Sequence, residues 1–244
     1  MNSGFYAAFA GLTAKMQALD LLANNLANAG TAGFKGQHEF YKAVTASLGF
    51  TPLSSLNRAI NNYGVLGGAA LDLSQGNLQE TGNNLDVAIQ GHGFFAVQTA
   101  AGVRYTRNGS FELNPKGRLV DHGGDPVLGD QGPLQLPPGE VSVGPNGTLS
   151  VAGAVAGKLR VVEFPPGAQL APEGGTLFNA PAGAARPSPD SVVEQGALEQ
   201  SNVNPVEGTV SLILIQRQAE SLERALSVFQ NDFNRTAAQE LSRV

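Results

Sequence analysis

A chain of 244 residues can bury one large or two small cores, but with 14% charged residues and a net charge of −5 it lacks the basic footprint that nucleic acid or an anionic membrane surface requires. With no cysteine, disulfides, thiolate metal sites and cysteine nucleophiles are excluded together.

In chain order, the first predicted element is a helix over residues 3–28, with Ser3 as N-cap and Gly30 placed to end it. Phe5, Phe9, Leu12, Met16, Leu19, Ala23 and Leu26 recur in alternating steps of four and three, the spacing that keeps one seam facing a partner helix. Ala7, Ala8, Ala10, Ala14, Ala18, Leu21 and Leu22 extend the apolar surface far beyond that seam, so the helix expects burial on several sides. Asn24, Asn25 and Asn28 follow where the stripe runs out, and their amides can satisfy backbone groups at the helix end or bond across a subunit contact. The apolar start is not read as a cleavable signal peptide: no basic residue precedes it, Lys15 interrupts it, and Asp20, Asn24 and Asn25 follow. No other apolar run approaches the length of a membrane span, and no membrane insertion is expected.

Residues 36–70 read as a connecting segment in which Tyr41–Leu48 suits either helix or strand and Gly64–Gly68 a flexible joint. From about 71 to 165, short apolar runs at 86–89, 94–97, 104–106, 118–120, 141–143, 149–151 and 159–162 alternate with turn signals at Asn108-Gly109, Lys116-Gly117, Gly123-Gly124 and Asn146-Gly147. These connections are too short for parallel crossovers, so an antiparallel β domain is expected. Residues 165–190, rich in Pro and Gly, read as an irregular connection.

The last element opens at Asn204-Pro205-Val206-Glu207, a capping box with proline at the first helical position. A helix from there to Leu241 is about 55 Å long. Its stripe of Leu212, Ile215, Ala219, Leu222, Leu226, Phe229 and Phe233 matches the length of the N-terminal one. The expected fold is therefore α+β: long terminal helices paired as a coiled-coil-like stalk, formed by residues 1–35 and 198–244, around a mostly antiparallel body at 71–197. Complementary terminal helices around a looped-out body point to assembly. The expected interface comprises Phe5, Phe9, Leu12, Met16, Leu19, Asn24, Asn25, Leu26 and Asn28 at one end, and Asn202, Asn204, Leu212, Ile215, Leu222, Leu226, Phe229 and Phe233 at the other. Because the apolar stripes gain burial only with partners, the terminal segments are expected to be poorly ordered in the monomer.

No catalytic constellation emerges, and neither a cofactor nor a metal is expected. His38, His92 and His122 lack metal-ligand spacing. Gly91-His92-Gly93 runs into the strand-like Phe94-Phe95-Ala96-Val97, whereas a phosphate loop must open a helix. Asp121, Asp125 and Asp130 read as turn residues. A rival reading is a secreted β module that stacks carbohydrate on Phe94, Phe95, Tyr105 and Phe111.

Three stretches carry a specific resemblance. NNLANAGTAGFK at 24–35, GNLQETGNNLDVAIQGHGFF at 76–95 and LEQSNVNPVE at 198–207 are similar, in this order, to signatures of the rod and hook axial proteins of the bacterial flagellum. Gln200 stands where that family commonly has Gly, and Gly208 where an acidic residue is usual. Residues 126–139 look most like proximal-rod members, with distal-rod members second and a hook subunit as a further alternative. The resemblance implies a non-enzymatic subunit of the basal-body rod, which crosses the periplasm. It implies export in an unfolded state through the flagellar export apparatus, without a cleavable signal, and partnership with other rod and axial proteins or copies of the chain itself.

Overall fold

The computed structural model describes the backbone of residues 2–43 and 64–241 and most of their side chains. These residues group into two compact units, each assembled from separated stretches: 2–27, 37–43, 64–70 and 204–241 in a helical unit, and 28–36 with 71–203 in a β unit. The architecture is α+β.

The helical unit holds α1 (Asn2–Ala27), α2 (Pro205–Leu241) and a two-stranded sheet of β1 (Gln37–Ala43) and β2 (Gly64–Leu71, whose last residue belongs to the β unit). Ser3 lies inside α1, and the helix ends three residues before Gly30, in a turn where the Thr31 N–H donates to the Asn28 carbonyl (3.0 Å). The start of α2 is fixed by Asn204, whose Oδ1 accepts the N–H groups of Val206 and Glu207 at 3.1 and 3.4 Å. Gly64–Gly68, expected to be a joint, is strand; the pairing with β1 outweighs the low β propensity of its glycines. Of Tyr41–Leu48, residues 41–43 extend β1 and the rest lie outside the described residues.

The two helices pack antiparallel, with Gly11 against Leu222 and Leu26 against Gly208. The covered side of α1 is turned from the expected stripe. Ala14, Ala18 and Asn25 are buried, whereas Phe9 is 56% and Met16 50% exposed and Ala23 also faces outward. A helix apolar on most sides offers more than one seam. The face lined by Gly11, Ala14 and Ala18 lets the helix axes approach closely, which Phe9 and Met16 would prevent.

In the β unit every ladder is antiparallel. A six-stranded sheet runs β15 (Ala171–Pro172), β16 (Leu177–Asn179), β6 (Gly102–Thr106), β5 (Phe94–Thr99), β14 (Val161–Glu163), β17 (Arg186–Pro187). A three-stranded sheet joins β11 (Val141–Val143), β12 (Thr148–Val151) and β13 (Ala154–Lys158). The segment 165–190 is therefore not merely irregular, since it supplies three strands and the buried Phe178. Its prolines fall at sheet edges and between strands, where a missing N–H is tolerated. The expected strand at 159–162 is divided: Leu159 and Arg160 separate β13 from β14.

Val87, Ile89, Phe95, Val97, Phe111, Leu119, Leu149 and Leu159 form the heart of one core, and Phe94, Val162 and Phe178 that of a second. Phe95 meets Phe111 edge to face at 5.1 Å, and Phe94 meets Phe178 at 5.9 Å. Three of the four aromatics of the carbohydrate-stacking reading, Phe94, Phe95 and Phe111, are thus core, and Tyr105 packs on Phe164 at 4.9 Å. That reading is removed. Asn108-Gly109 is not a left-handed hairpin turn either. Asn108 Oδ1 accepts the Ser110 N–H (3.0 Å), and Gly109 is needed because a Cβ there would overlap the Val87 carbonyl.

Candidate functional site: an exposed helical face and a buried ionic clasp

Two features stand apart from ordinary packing. The first is the outward face of the helical unit. Phe9, Met16, Val206, Val210, Ile213, Leu214, Val228 and Phe229 are all more than 40% exposed, and they lie on the two helices with few charges among them. Leu12, Leu19 and Leu26 on α1 and Leu212, Ile215, Leu222 and Leu226 on α2 are half-buried, and Ala219 is buried. The side chains of Phe5 and Phe233 lie outside the described residues.

The asparagines have definite places. Asn24 is on the exposed side of α1. Asn25 is buried, and its amide grips the Gln37 backbone at both ends: Nδ2 donates to the Gln37 carbonyl (2.7 Å) and Oδ1 accepts the Gln37 N–H (3.0 Å). It thereby replaces a strand partner at the start of β1. Asn28 Oδ1 accepts the Thr31 hydroxyl at 3.3 Å. Asn202 accepts the Gly36 N–H (2.8 Å) and donates to the carbonyls of Asp72 (2.9 Å) and Ser74 (3.2 Å). Asn204 caps α2.

The second feature, not anticipated from sequence, is a buried ionic cluster in the β unit. β19 (Ala197–Glu199) pairs with β3 (Leu78–Glu80) and so carries Glu199 inside. Glu199 Oε1 accepts from Lys35 Nζ at 2.6 Å and from the Gly76 N–H at 2.9 Å, and Oε2 accepts from Arg107 Nη1 at 3.0 Å. None of the three charged side chains is more than 1% accessible. Lys35 Nζ also donates to the Ser74 carbonyl (2.5 Å). Arg107 Nη2 donates to the Gly91 carbonyl (2.6 Å), and its guanidinium lies 4.8 Å from the Phe94 ring centre. Arg107 Nε is buried with no hydrogen-bond partner. Burial pushes both Lys35 and Arg107 below their usual values, and the adjacent Glu199 carboxylate counteracts this.

Glycines let the backbones close on this cluster. Gly33 has φ 70° and a Cβ there would overlap the Asn108 backbone, while one at Gly76 would overlap the Gln200 carbonyl. A cluster of this kind holds segments together; it has no open face for a substrate. Lys35, Gly76 and Glu199 each belong to one of the three sequence signatures, so membership in those stretches was the available signal. Among the described residues no group of three or more His, Cys, Asp or Glu could hold a metal ion. Asp121 and Asp125 close a turn, in which Asp121 Oδ1 accepts the Asp125 N–H at 2.8 Å. Gly91 and His92 form a bend that precedes β5. No described helix is long and apolar enough to cross a membrane.

Paired terminal helices, an antiparallel β unit and a clasp drawn from all three sequence signatures are the features set beside known proteins. Residues 5–35 match the family described as flagella basal body rod protein, residues 88–151 the flagellar hook protein FlgE/F/G D1 domain, and residues 194–228 the flagellar basal body rod FlgEFG protein C-terminal. The flagellar basal-body rod protein FlgF of Caulobacter vibrioides is 36% identical over 98% of both chains. The FlgF of Salmonella typhimurium is 31% identical over 95% of this chain and 96% of its own. A FlgG of Buchnera aphidicola is 30% identical over 89% of this chain and 92% of its own. The chain belongs to the flagellar basal-body rod protein family.

Proposed function

We infer that the chain is a structural subunit of the flagellar basal-body rod, of the F type rather than the G type, and performs no enzymatic reaction. It joins other rod and axial proteins, or further copies of itself, through its terminal helices. The observation that carries this reading is the exposure of Phe9, Met16 and Phe229 on the two helices. Burying such side chains is worth about 1.5–3 kcal/mol each, and intersubunit contact supplies that burial. The stripe of α2 continues the pairing as a coiled-coil-like stalk in the assembled state. The subunit travels unfolded through the export apparatus, and its helices reach full order where partners exist.

The test is Phe9→Asp combined with Met16→Asp, expressed in a strain lacking the chromosomal copy. The expected outcome is loss of swimming and absence of the subunit from purified basal bodies, with circular dichroism of the purified variant showing an intact β unit. Normal swimming with normal incorporation would defeat the reading.

A further inference from the structure

We propose that residues 28–36 are seated on the β unit only while residues 197–203 are seated, with Glu199 as the clasp between them. Lys35 and Glu199 are separated by 164 residues and Arg107 and Glu199 by 92, so neither contact forms locally. Charge sets the direction of the dependence. Two cations share one carboxylate, and Arg107 Nε already lacks a partner. If residues 197–203 leave, Lys35 and Arg107 face each other in a low-dielectric site without the carboxylate they share, and the Asp72 charge acts on Lys35 more weakly than the Arg107 repulsion does. Lys35 then escapes to water by carrying residues 28–36 away. If residues 28–36 leave, Glu199 still has Arg107 and the Gly76 N–H. The dependence is therefore one-way.

The backbone reinforces it. The Gly33 N–H donates to the Glu199 carbonyl at 2.7 Å, and the Gly36 N–H to Asn202 Oδ1 at 2.8 Å. Both acceptors lie in 197–203. One backbone bond of residues 28–36 has neither its donor nor its acceptor in 197–203, that from the Asp72 N–H to the Gly36 carbonyl at 2.8 Å. In a chain released with its N-terminus first, residues 28–36 remain accessible to water until residue 199 has followed. None of this depends on what the helical unit assembles with.

The experiment uses the full chain. Amide exchange at Asp72 and labelling of the Lys35 amine by a lysine-acylating reagent are compared in wild type, Glu199→Gln and Asn202→Ala. Asn202→Ala loosens 197–203 and leaves Lys35 and Glu199 in place, and it carries the test if Glu199→Gln does not fold. It also removes bonds to Gly36, Asp72 and Ser74, so Lys35 labelling is the deciding readout in that variant. Expected is a rise in both readouts roughly tenfold or more beyond any rise in the amides of the β5–β6 ladder. The proposal is overturned if the Gly36 amide, which loses its acceptor in Asn202→Ala, speeds up while Lys35 labelling stays at the wild-type level.

Discussion

The β unit and the helical unit solve the burial of apolar surface in opposite ways. In the β unit Phe94, Phe95, Phe111 and Phe178 are all at most 3% exposed, and even charged groups inside it are paired. In the helical unit the small residues Ala14, Ala18 and Ala219 are buried while Phe9, Met16 and Phe229 face outward. The first unit buries its aromatic core within one chain and leaves only scattered aliphatic side chains, Leu113, Val155 and Val192, exposed among its described large apolar residues. The second closes its tightest contact with small side chains, half-buries its leucines and leaves Phe9, Met16 and Phe229 exposed.

The largest expected effect tests the β unit. Glu199→Ala leaves two buried cations unopposed and should destabilise the β unit by about 3–5 kcal/mol, measured by urea unfolding of the full chain. If it costs under about 1 kcal/mol, the clasp is no more than a surface ion pair in effect. Next is a matched pair of truncations. Phe95→Ala should cost about 3–5 kcal/mol, whereas Phe9→Ala should change monomer stability by at most about 0.5 kcal/mol while reducing incorporation into basal bodies. Equal losses from both would erase the contrast between the units.

A smaller effect has the opposite sign. Ala152 and Gly153 form the two-residue turn of the β12–β13 hairpin with φ of 51° and 81°, and Ala152 is the only non-glycine with positive φ among the described residues. Ala152→Gly should stabilise the β unit by about 0.5–1 kcal/mol, because glycine takes this conformation without a Cβ penalty. A drop in the unfolding midpoint would contradict that.

The smallest expected effect is one of pH. Burial, and then the Asp121 charge, raise the Asp125 carboxyl above its ordinary value of 3.8. Between 3.8 and its folded-state value the folded chain holds more of this proton than the unfolded chain does, so this group's contribution to stability falls as pH rises through that window. Asp125→Asn should flatten that slope in pH-dependent unfolding. An unchanged profile would show that the Asp125 charge is fully solvated.

What could be read in the sequence was local. The cap at Asn204, the extent of both helices and the strands at 94–97, 104–106, 141–143 and 149–151 follow from periodicity and turn chemistry within a few residues. The face of α1 did not, because a helix with alanine or leucine on most sides satisfies two stripes and only the partner's shape chooses. Nor did the strands within 165–190, where prolines at edges and connections hide the pattern. The clasp was out of reach of any local rule. A lone Lys35, Arg107 or Glu199 looks like an ordinary solvated charge, and only the fold brings them together.

The clasp also decides where a mechanical load would travel. Tension applied to the β unit between residue 28 and residue 203 meets Lys35 and Glu199 directly, joined at 2.6 Å, with the β3–β19 ladder and the Asn202 bonds beside them. The load path is short and stays near the chain's entry and exit. The six-stranded sheet meets that path through Arg107, which binds Glu199 and lies over the Phe94 ring, so pulling on the ends loads charged and polar bonds first and a core aromatic only through that guanidinium.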